Sequence, residues 1–153
     1  MVNYEVRLQK TITLMKEENT DCLVISRPTH ILYLTGISLY ASDRLNVLVV
    51  RKSGELLFVL NRLSILPLDN KIETAWYGDW ENGIEVLSGT IEKGASVEAD
   101  YYMPYGFLKE LAELRNDILV KPPTYIVERA RMIKDSEEIA LLKVSSQKND
   151  III

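Results

Sequence analysis

Hydrophobic residues recur along the chain with two periods, one typical of helices and one typical of strands. Leu8, Ile12 and Met15 lie at helical spacing with charged residues between them, so residues 3–19 are predicted to form an amphipathic helix. Further on, the pattern predicts a turn or short helix over residues 28–36, a short helix over 62–66, a helix over 81–93 that Gly94 ends, and a helix from Pro104 onward.

Short apolar runs bounded by turn residues predict strands between these helices. The pair Ser53-Gly54 fits a hairpin turn between two of them. Because strands alternate with helices and one hairpin is antiparallel, the order of elements predicts an α/β domain with a mixed β-sheet flanked by helices. The predicted strands cover residues 22–26, 45–50, 56–60, 72–76, 96–99 and 118–121.

The final segment begins with a pattern typical of a helix start. Asp135 followed by Glu138 fits a capping box, in which each of the two residues binds the backbone amide of the other. A helix is therefore predicted from about Ser136 toward the C-terminus. No strand follows that this helix would cover, and the last three residues are isoleucines. We therefore expect the chain to be one part of a longer protein.

Composition limits the class of protein. With 153 residues, 47% of them hydrophobic and 26% charged, the chain suits one domain, or one domain and the start of a second. A net charge of −4 gives no sign of a nucleic-acid footprint. The single cysteine, Cys22, excludes an intrachain disulfide and is expected to be an inert core thiol. Since we find neither a membrane-spanning run nor the pattern of a signal peptide, we expect a cytoplasmic protein.

Histidine is scarcer than most catalytic sites require. With His30 alone, the chain cannot build the usual Cys/His zinc site, and any Ser-His-Asp or Cys-His arrangement would have to use this one residue. We favour a turn or capping role for His30. The acidic pairs Glu17-Glu18 and Glu137-Glu138 are expected on solvated faces or at helix ends, because nothing in the sequence indicates a shared cleft.

Two segments resemble one protein family. Pro28-Thr-His-Ile-Leu-Tyr-Leu-Thr-Gly36 looks like the P-x-N-I-x-Y-L-T-G segment in the N-terminal domain of prolidases, X-Pro aminopeptidases (aminopeptidase P) and creatinases. Arg131-Met-Ile-Lys-Asp-Ser-Glu-Glu-Ile139 is similar to the R-x-I-K-[ST]-x-x-E-I segment that leads into the catalytic domain of that family. The distance of about 100 residues between them also agrees. His30 stands where the family usually has Asn, and Asp135 where it has Ser or Thr.

The resemblance implies a fold and a division of the parent protein into two domains. Residues 1–130 would form the creatinase/prolidase-type N-terminal domain, a mixed sheet flanked by helices with a ribonuclease H-like motif. Residues 131–153 would begin the connecting helix to a "pita-bread" catalytic domain. In metallopeptidases of the family that domain holds two divalent metals, often Mn, Co or Zn, on two Asp, one His and two Glu. All of these ligands lie beyond the second segment, so no catalytic or metal residue is carried over to this chain.

What the resemblance implies for this chain is a supporting role. Such N-terminal domains contribute to a dimer and wall part of the entrance to the active site, where the parent enzyme hydrolyses Xaa-Pro peptides. The loop over residues 37–44 is expected to face that entrance, where Tyr40, Asp43 and Arg44 would position the charged ends of a short peptide. A bacterial-type Xaa-Pro dipeptidase is favoured. A stand-alone module that binds a small ligand or a protein, an X-Pro aminopeptidase domain and a creatinase-like amidinohydrolase domain remain open.

Overall fold

The computed structural model describes residues 3–40 and 42–152, and this part of the chain contains six helices and six strands. Ala41 of the predicted entrance loop and Ile153 of the apolar tail lie outside the described residues. In chain order the elements are α1 (Tyr4–Glu17), β1 (Cys22–Ile25), α2 (Pro28–Thr35), β2 (Val47–Arg51), β3 (Leu56–Asn61), β4 (Glu73–Tyr77), α3 (Gly83–Thr90), β5 (Ser96–Ala99), α4 (Tyr105–Leu114), β6 (Leu119–Lys121), α5 (Ile126–Met132) and α6 (Ser136–Ile152).

The strands form one mixed sheet in the order β4-β3-β2-β1-β5-β6. Strand β2 runs antiparallel to its neighbours β1 and β3, and the other neighbouring pairs are parallel. Five of the six described strands therefore end at the same edge of the sheet, which we call the carboxyl edge. The prediction of an α/β domain with a mixed sheet flanked by helices is confirmed.

Both faces of the sheet are covered by helices, which explains why its central strands are apolar without alternation. Along β1, Leu23 and Ile25 face the core under α1, α2 and α5, whereas Cys22 and Val24 face the core under α3 and α4. Cys22 is buried as predicted, and burial raises the pKa of its thiol to about 12, so the thiolate scarcely forms at neutral pH.

The predicted helix over residues 62–66 is wrong, since the segment is a turn followed by irregular chain. The side-chain oxygen Oδ1 of Asn61 accepts a hydrogen bond from the amide of Leu63 at 3.0 Å. The amide of Arg62 donates to the carbonyl of Tyr77 at 2.9 Å. These two hydrogen bonds, a local Asn turn and a continuation of the pairing between β3 and β4, are formed in place of one helical turn.

Helix α3 ends earlier than predicted, at Thr90, and Gly94 does not cap it. The hydroxyl of Thr90 donates to the carbonyl of Leu87 at 2.7 Å, and Ile91 turns extended and enters the core beneath α3. Gly94 instead takes a left-handed conformation in the turn before β5. Burial of Ile91 therefore decides where the helix stops.

The last two helices differ in how well the sequence predicts them. Helix α5 has only seven residues and was not expected, because Pro122-Pro123 indicated no more than the end of a strand. Helix α6 begins at Ser136 as predicted, and its capping box is confirmed. The amide of Glu138 donates to Asp135 Oδ1 at 2.8 Å, and the amide of Asp135 donates to Glu138 Oε2 at 2.9 Å.

Gly36 ends α2 in the left-handed conformation, with φ of +75°, and a Cβ atom there would lie 2.6 Å from the hydroxyl of Tyr4. We expect Gly36→Ala to lower the free energy of unfolding by about 1–2 kcal/mol. Gly89→Ala is the matched control, because this glycine lies within α3 with nothing within 4 Å of a new Cβ. It should be neutral or stabilising by up to about 1 kcal/mol in urea unfolding. Equal stability of the two variants would contradict this reading.

Candidate functional site

Side chains suited to binding gather at the carboxyl edge of the sheet. The segments after β1, β4, β5 and β6 and the loop before β2 all meet there. Exposed aromatic residues are concentrated in these segments: Tyr40, Trp80, Tyr101, Tyr102, Tyr105 and Tyr125. An edge of this kind, where parallel strands end, is the usual place for ligands in open α/β sheets.

The predicted entrance loop lies at this edge. Tyr40 is 89% exposed, and Asp43 is also exposed. Arg44 is already paired, because its Nε and Nη2 atoms donate to the two carboxylate oxygens of Asp79 at 2.8 and 2.9 Å. Hydrogen bonds from Arg44 and from Asn61 lower the pKa of Asp79 to about 2. The sequence offered no sign of this partner, which lies 35 residues further along the chain.

A groove of about 240 Å³ runs between the start of α2, the predicted entrance loop and the start of α4. Tyr40 and Arg44 line it, but Asp43 does not. The structure therefore brings two of the three predicted site residues together and leaves the third outside. The remaining lining is largely apolar, from Leu39, Pro28, Pro104, Phe107 and Tyr102, with Arg27 beside them. We call this the aromatic groove.

Arg27 and Tyr102 form one end of the aromatic groove. The guanidinium carbon of Arg27 lies 3.9 Å from the centre of the Tyr102 ring. Among the residues that the structure describes, none forms an ion pair or a hydrogen bond with this guanidinium. Tyr102 also packs edge-on against His30, with ring centres 6.0 Å apart. Arg27 follows β1 and Tyr102 follows β5, so the proximity of these two side chains depends on the parallel pairing of the two strands.

A buried carboxylate holds the backbone at this end of the groove. Asp100, only 6% exposed, accepts hydrogen bonds from the amides of Ser26 and Arg27 at 3.1 and 2.9 Å and from the Ser26 hydroxyl at 2.7 Å. Burial alone would raise the pKa of Asp100. Contact with His30 and the bonds from Arg27 and Ser26 outweigh burial, so the pKa lies below its ordinary value.

His30 is fully buried in the first turn of α2 and does not cap the helix. Its Nδ1 atom lies 3.5 Å from Asp100 Oδ2, and its Nε2 atom lies 3.8 Å from Glu128 Oε1. Neither nitrogen has a partner at hydrogen-bond geometry. The predicted capping role is therefore wrong, since the imidazole fills the space between the end of β5 and α5 instead.

A second polar cluster joins α1 to the start of α6. Arg7, whose side chain is 10% exposed, donates from Nε and Nη2 to Asp135 Oδ2 at 3.2 and 3.0 Å, and from Nη1 to the carbonyl of Tyr33 at 3.3 Å. The guanidinium carbon of Arg7 also lies 4.6 Å from the centre of the Tyr33 ring, and its Nη2 atom lies 3.5 Å from Glu138 Oε1. We call these contacts the Arg7 clasp. They fix the first turn of α6 against the domain.

The acidic pairs have structural partners. Glu17 and Glu18 both pair with Arg129 of α5, and Glu138 belongs to the Arg7 clasp. In the part of the chain that the structure describes, no group of three or more His, Cys, Asp or Glu side chains is placed to hold a metal ion. The residues in these described ranges therefore do not fit a metal centre. Nor does any helix among them have the length and apolar character needed to cross a membrane.

The elements and the groove together define an α/β domain with an apolar, cation-bearing site at one edge of a mixed sheet. A family model described as the creatinase/prolidase N-terminal domain matches residues 7–133. The chain belongs to this family. A comparison with curated proteins finds none that matches the chain by sequence.

Solved structures of prolidases and Xaa-Pro dipeptidases share the fold. Prolidase from Thermococcus sibiricus matches 92% of this chain and 40% of its own, with a TM-score of 0.77 and 21% identity. A dipeptidase from Pyrococcus horikoshii matches 88% of this chain and 38% of its own, with a TM-score of 0.71 and 28% identity. The chain thus spans about two fifths of these proteins.

One of the solved structures is matched by this chain over almost its whole length. The N-terminal domain of an X-Pro dipeptidase from Streptococcus pyogenes matches 80% of this chain and 97% of its own, with a TM-score of 0.67 and 17% identity. The comparison therefore includes a domain of this fold whose structure was solved without the rest of its protein.

Proposed function

We propose that this chain is the non-catalytic N-terminal domain of an Xaa-Pro dipeptidase (prolidase)-like metallopeptidase of the cytoplasm. It would help to form a homodimer and would wall part of the entrance to the active site. A separate catalytic domain, carrying two divalent metals (Mn, Co or Zn), would hydrolyse the Xaa-Pro peptide. The observation that carries this proposal is the family match over residues 7–133.

The exposed apolar side chains of α6 support a further domain beside this one. Ile139, Leu141, Leu142 and Val144 are between 44% and 66% exposed, although they lie on a helix whose first turn the Arg7 clasp holds in place. Exposed apolar side chains so close together along one helix favour burial against another surface. Residues 1–130 would then be the domain itself and residues 131–153 the start of the connection.

The proposal predicts that the 153-residue chain alone does not hydrolyse Xaa-Pro dipeptides. Proline release from Gly-Pro would be measured with Mn²⁺ or Co²⁺ added, on material whose circular dichroism shows the folded state. We expect release at the rate of the blank, because the described residues offer no metal-holding cluster. Release that scales with the amount of purified chain, and that a chelator abolishes, would contradict the proposal.

A further inference from the structure

We propose that His30 is a proton-dependent link between the sheet and α5. With a proton on both ring nitrogens it bridges Asp100 and Glu128, and when Nε2 loses its proton it releases Glu128. Such a link makes the attachment of α5 sensitive to pH. It goes beyond the proposed function and does not depend on it.

The imidazole of His30 is buried without hydrogen bonds. In the described ranges 3–40 and 42–152, the buried side-chain polar atoms that lack a hydrogen-bond partner are its two ring nitrogens. Buried polar groups of native proteins are almost always paired, because an unpaired group loses its hydration and gains nothing in return. The ring therefore calls for a state in which both nitrogens can be satisfied.

Both ring nitrogens face carboxylates. Nδ1 lies 3.5 Å from Asp100 Oδ2, and Nε2 lies 3.8 Å from Glu128 Oε1. An ionised carboxylate only accepts hydrogen bonds, and a neutral imidazole donates from one nitrogen only. The second nitrogen of a neutral ring would therefore turn its lone pair toward a carboxylate oxygen. An imidazolium ring can donate to both carboxylates, so the geometry favours the charged ring.

The charged groups around the ring favour the same state. From the segment after β5 the ring meets Asp100 and Tyr102, and from α5 it meets Glu128. The pKa of Asp100 lies below its ordinary value, so this carboxylate is negatively charged at neutral pH. Arg27, which directly precedes α2, lies against the Tyr102 ring and pairs with neither carboxylate. Burial opposes a charge on histidine, whereas two carboxylates within 4 Å of its nitrogens stabilise that charge.

The two carboxylates belong to different parts of the domain. Asp100 follows β5 at the carboxyl edge of the sheet, and Glu128 lies in the first turn of α5. The side chain of Asp100 is 2% exposed and that of Glu128 is 28% exposed. When the ring keeps a single proton, its N–H therefore remains with the buried Asp100, and Glu128 turns toward water. Residues 133–135 join α5 to α6, so this link bears on the segment from which α6 starts.

Raising the pH should weaken the link. The bridge exists while the ring carries both protons, and it is lost as one of them dissociates. Histidine is the side chain that ordinarily changes its charge between about pH 5 and pH 8, a range in which exposed carboxylates remain ionised. We therefore expect α5 to be held more firmly at about pH 5 than at about pH 8.

The first test observes the ring itself. The chain contains one histidine, so the ring signals of the ¹⁵N-labelled protein, free of any affinity tag, come from His30 alone. Nitrogen chemical shifts recorded between about pH 5 and pH 8 distinguish the charged ring from each neutral tautomer. We expect both nitrogens to be protonated at the acid end, and Nε2 to lose its proton while Nδ1 keeps its own. A ring that stays neutral over the whole range, or that loses the proton from Nδ1, would overturn the proposal.

The second test measures how firmly α5 is held. Protection of the amides of residues 129–132 against hydrogen exchange, corrected for the intrinsic effect of pH and compared with β1, should be about tenfold greater at about pH 5 than at about pH 8. Glu128→Gln keeps the shape of the side chain but removes its charge, so this difference should disappear. Glu113→Gln is the matched control, because Glu113 is an exposed glutamate of α4 that pairs only with Lys109 among the described residues. It should keep the tenfold difference.

His30→Asn removes the titrating ring and keeps a short polar side chain. Exchange in α5 of this variant should no longer depend on pH beyond the intrinsic effect. If the variant does not fold, the ring shifts and the two glutamate variants still decide the matter. Persistence of the tenfold difference in Glu128→Gln, or its absence from the unchanged chain, would contradict the link. None of these results depends on whether a catalytic domain follows.

Discussion

Replacing Asp100 by alanine is expected to lower the free energy of unfolding by about 3–5 kcal/mol at neutral pH. The substitution removes the acceptor of three hydrogen bonds, from the amides of Ser26 and Arg27 and from the Ser26 hydroxyl. It also leaves His30 without the carboxylate that lies 3.5 Å from its Nδ1 atom. Buried groups that lose such a partner account for the largest single-residue effects. Urea unfolding monitored by circular dichroism measures the change.

The control is Asp43→Ala, since Asp43 is an exposed aspartate of the predicted entrance loop and should change stability by no more than about 0.5 kcal/mol. A cost below 1 kcal/mol for Asp100→Ala would contradict the role assigned to Asp100.

The same carboxylate makes stability depend on pH. Because the pKa of Asp100 is lower in the folded chain than its ordinary value of 3.8, the folded state takes up this proton less readily than the unfolded state. The contribution of Asp100 is therefore complete above about pH 4 and is lost as the pH falls through the lowered folded-state pKa. In Asp100→Asn the difference from the unchanged chain should shrink across this acid range.

Replacing Arg7 by methionine is expected to cost about 2–3 kcal/mol and to loosen the first turn of α6. The variant keeps much of the volume but loses the hydrogen bonds to Asp135 and to the Tyr33 carbonyl, and it leaves the carboxylates of Asp135 and Glu138 without their cation. Hydrogen exchange at the amides of residues 138–142 should accelerate more than exchange in β1.

Arg62→Met is the matched control, because Arg62 is an exposed arginine whose side chain could be changed without touching the clasp. It should alter stability by no more than about 0.5 kcal/mol and leave exchange in α6 unchanged. If Arg7→Met and Arg62→Met behaved alike, the Arg7 clasp would not be what holds α6.

Local patterns account for most of the secondary structure. Turn residues marked the strands, and the pair Asp135 and Glu138 located the start of α6 because a capping box acts within a single helical turn. The failures arose where distant residues decide the outcome. Residues 62–66 do not form a helix because the amide of Arg62 continues the hydrogen bonding between β3 and β4. Helix α3 ends at Thr90 because the next residue, Ile91, is buried in the core in an extended conformation. Helix α5 has only seven residues, too few to show a helical period of hydrophobic residues in the sequence.

The candidate site was predictable only in part. The entrance loop was expected from the resemblance, and Tyr40 and Arg44 do line the aromatic groove. Asp100, Arg27 and Tyr102 were missed, although Asp100 directly follows a predicted strand, a position that puts a polar side chain at the edge of a parallel sheet. These three residues come into contact only because β1 pairs with β5, more than 70 residues away along the chain. No local sequence pattern reveals that pairing.

The most direct test of the central claim is to read the source gene beyond the codon for Ile153. The account predicts that the frame continues into a second domain containing two Asp, one His and two Glu at the spacing of a pita-bread metallopeptidase. The chain would then serve as the scaffold and entrance of that enzyme. A stop codon directly after Ile153 would contradict the account, and the chain would instead be a stand-alone binding module.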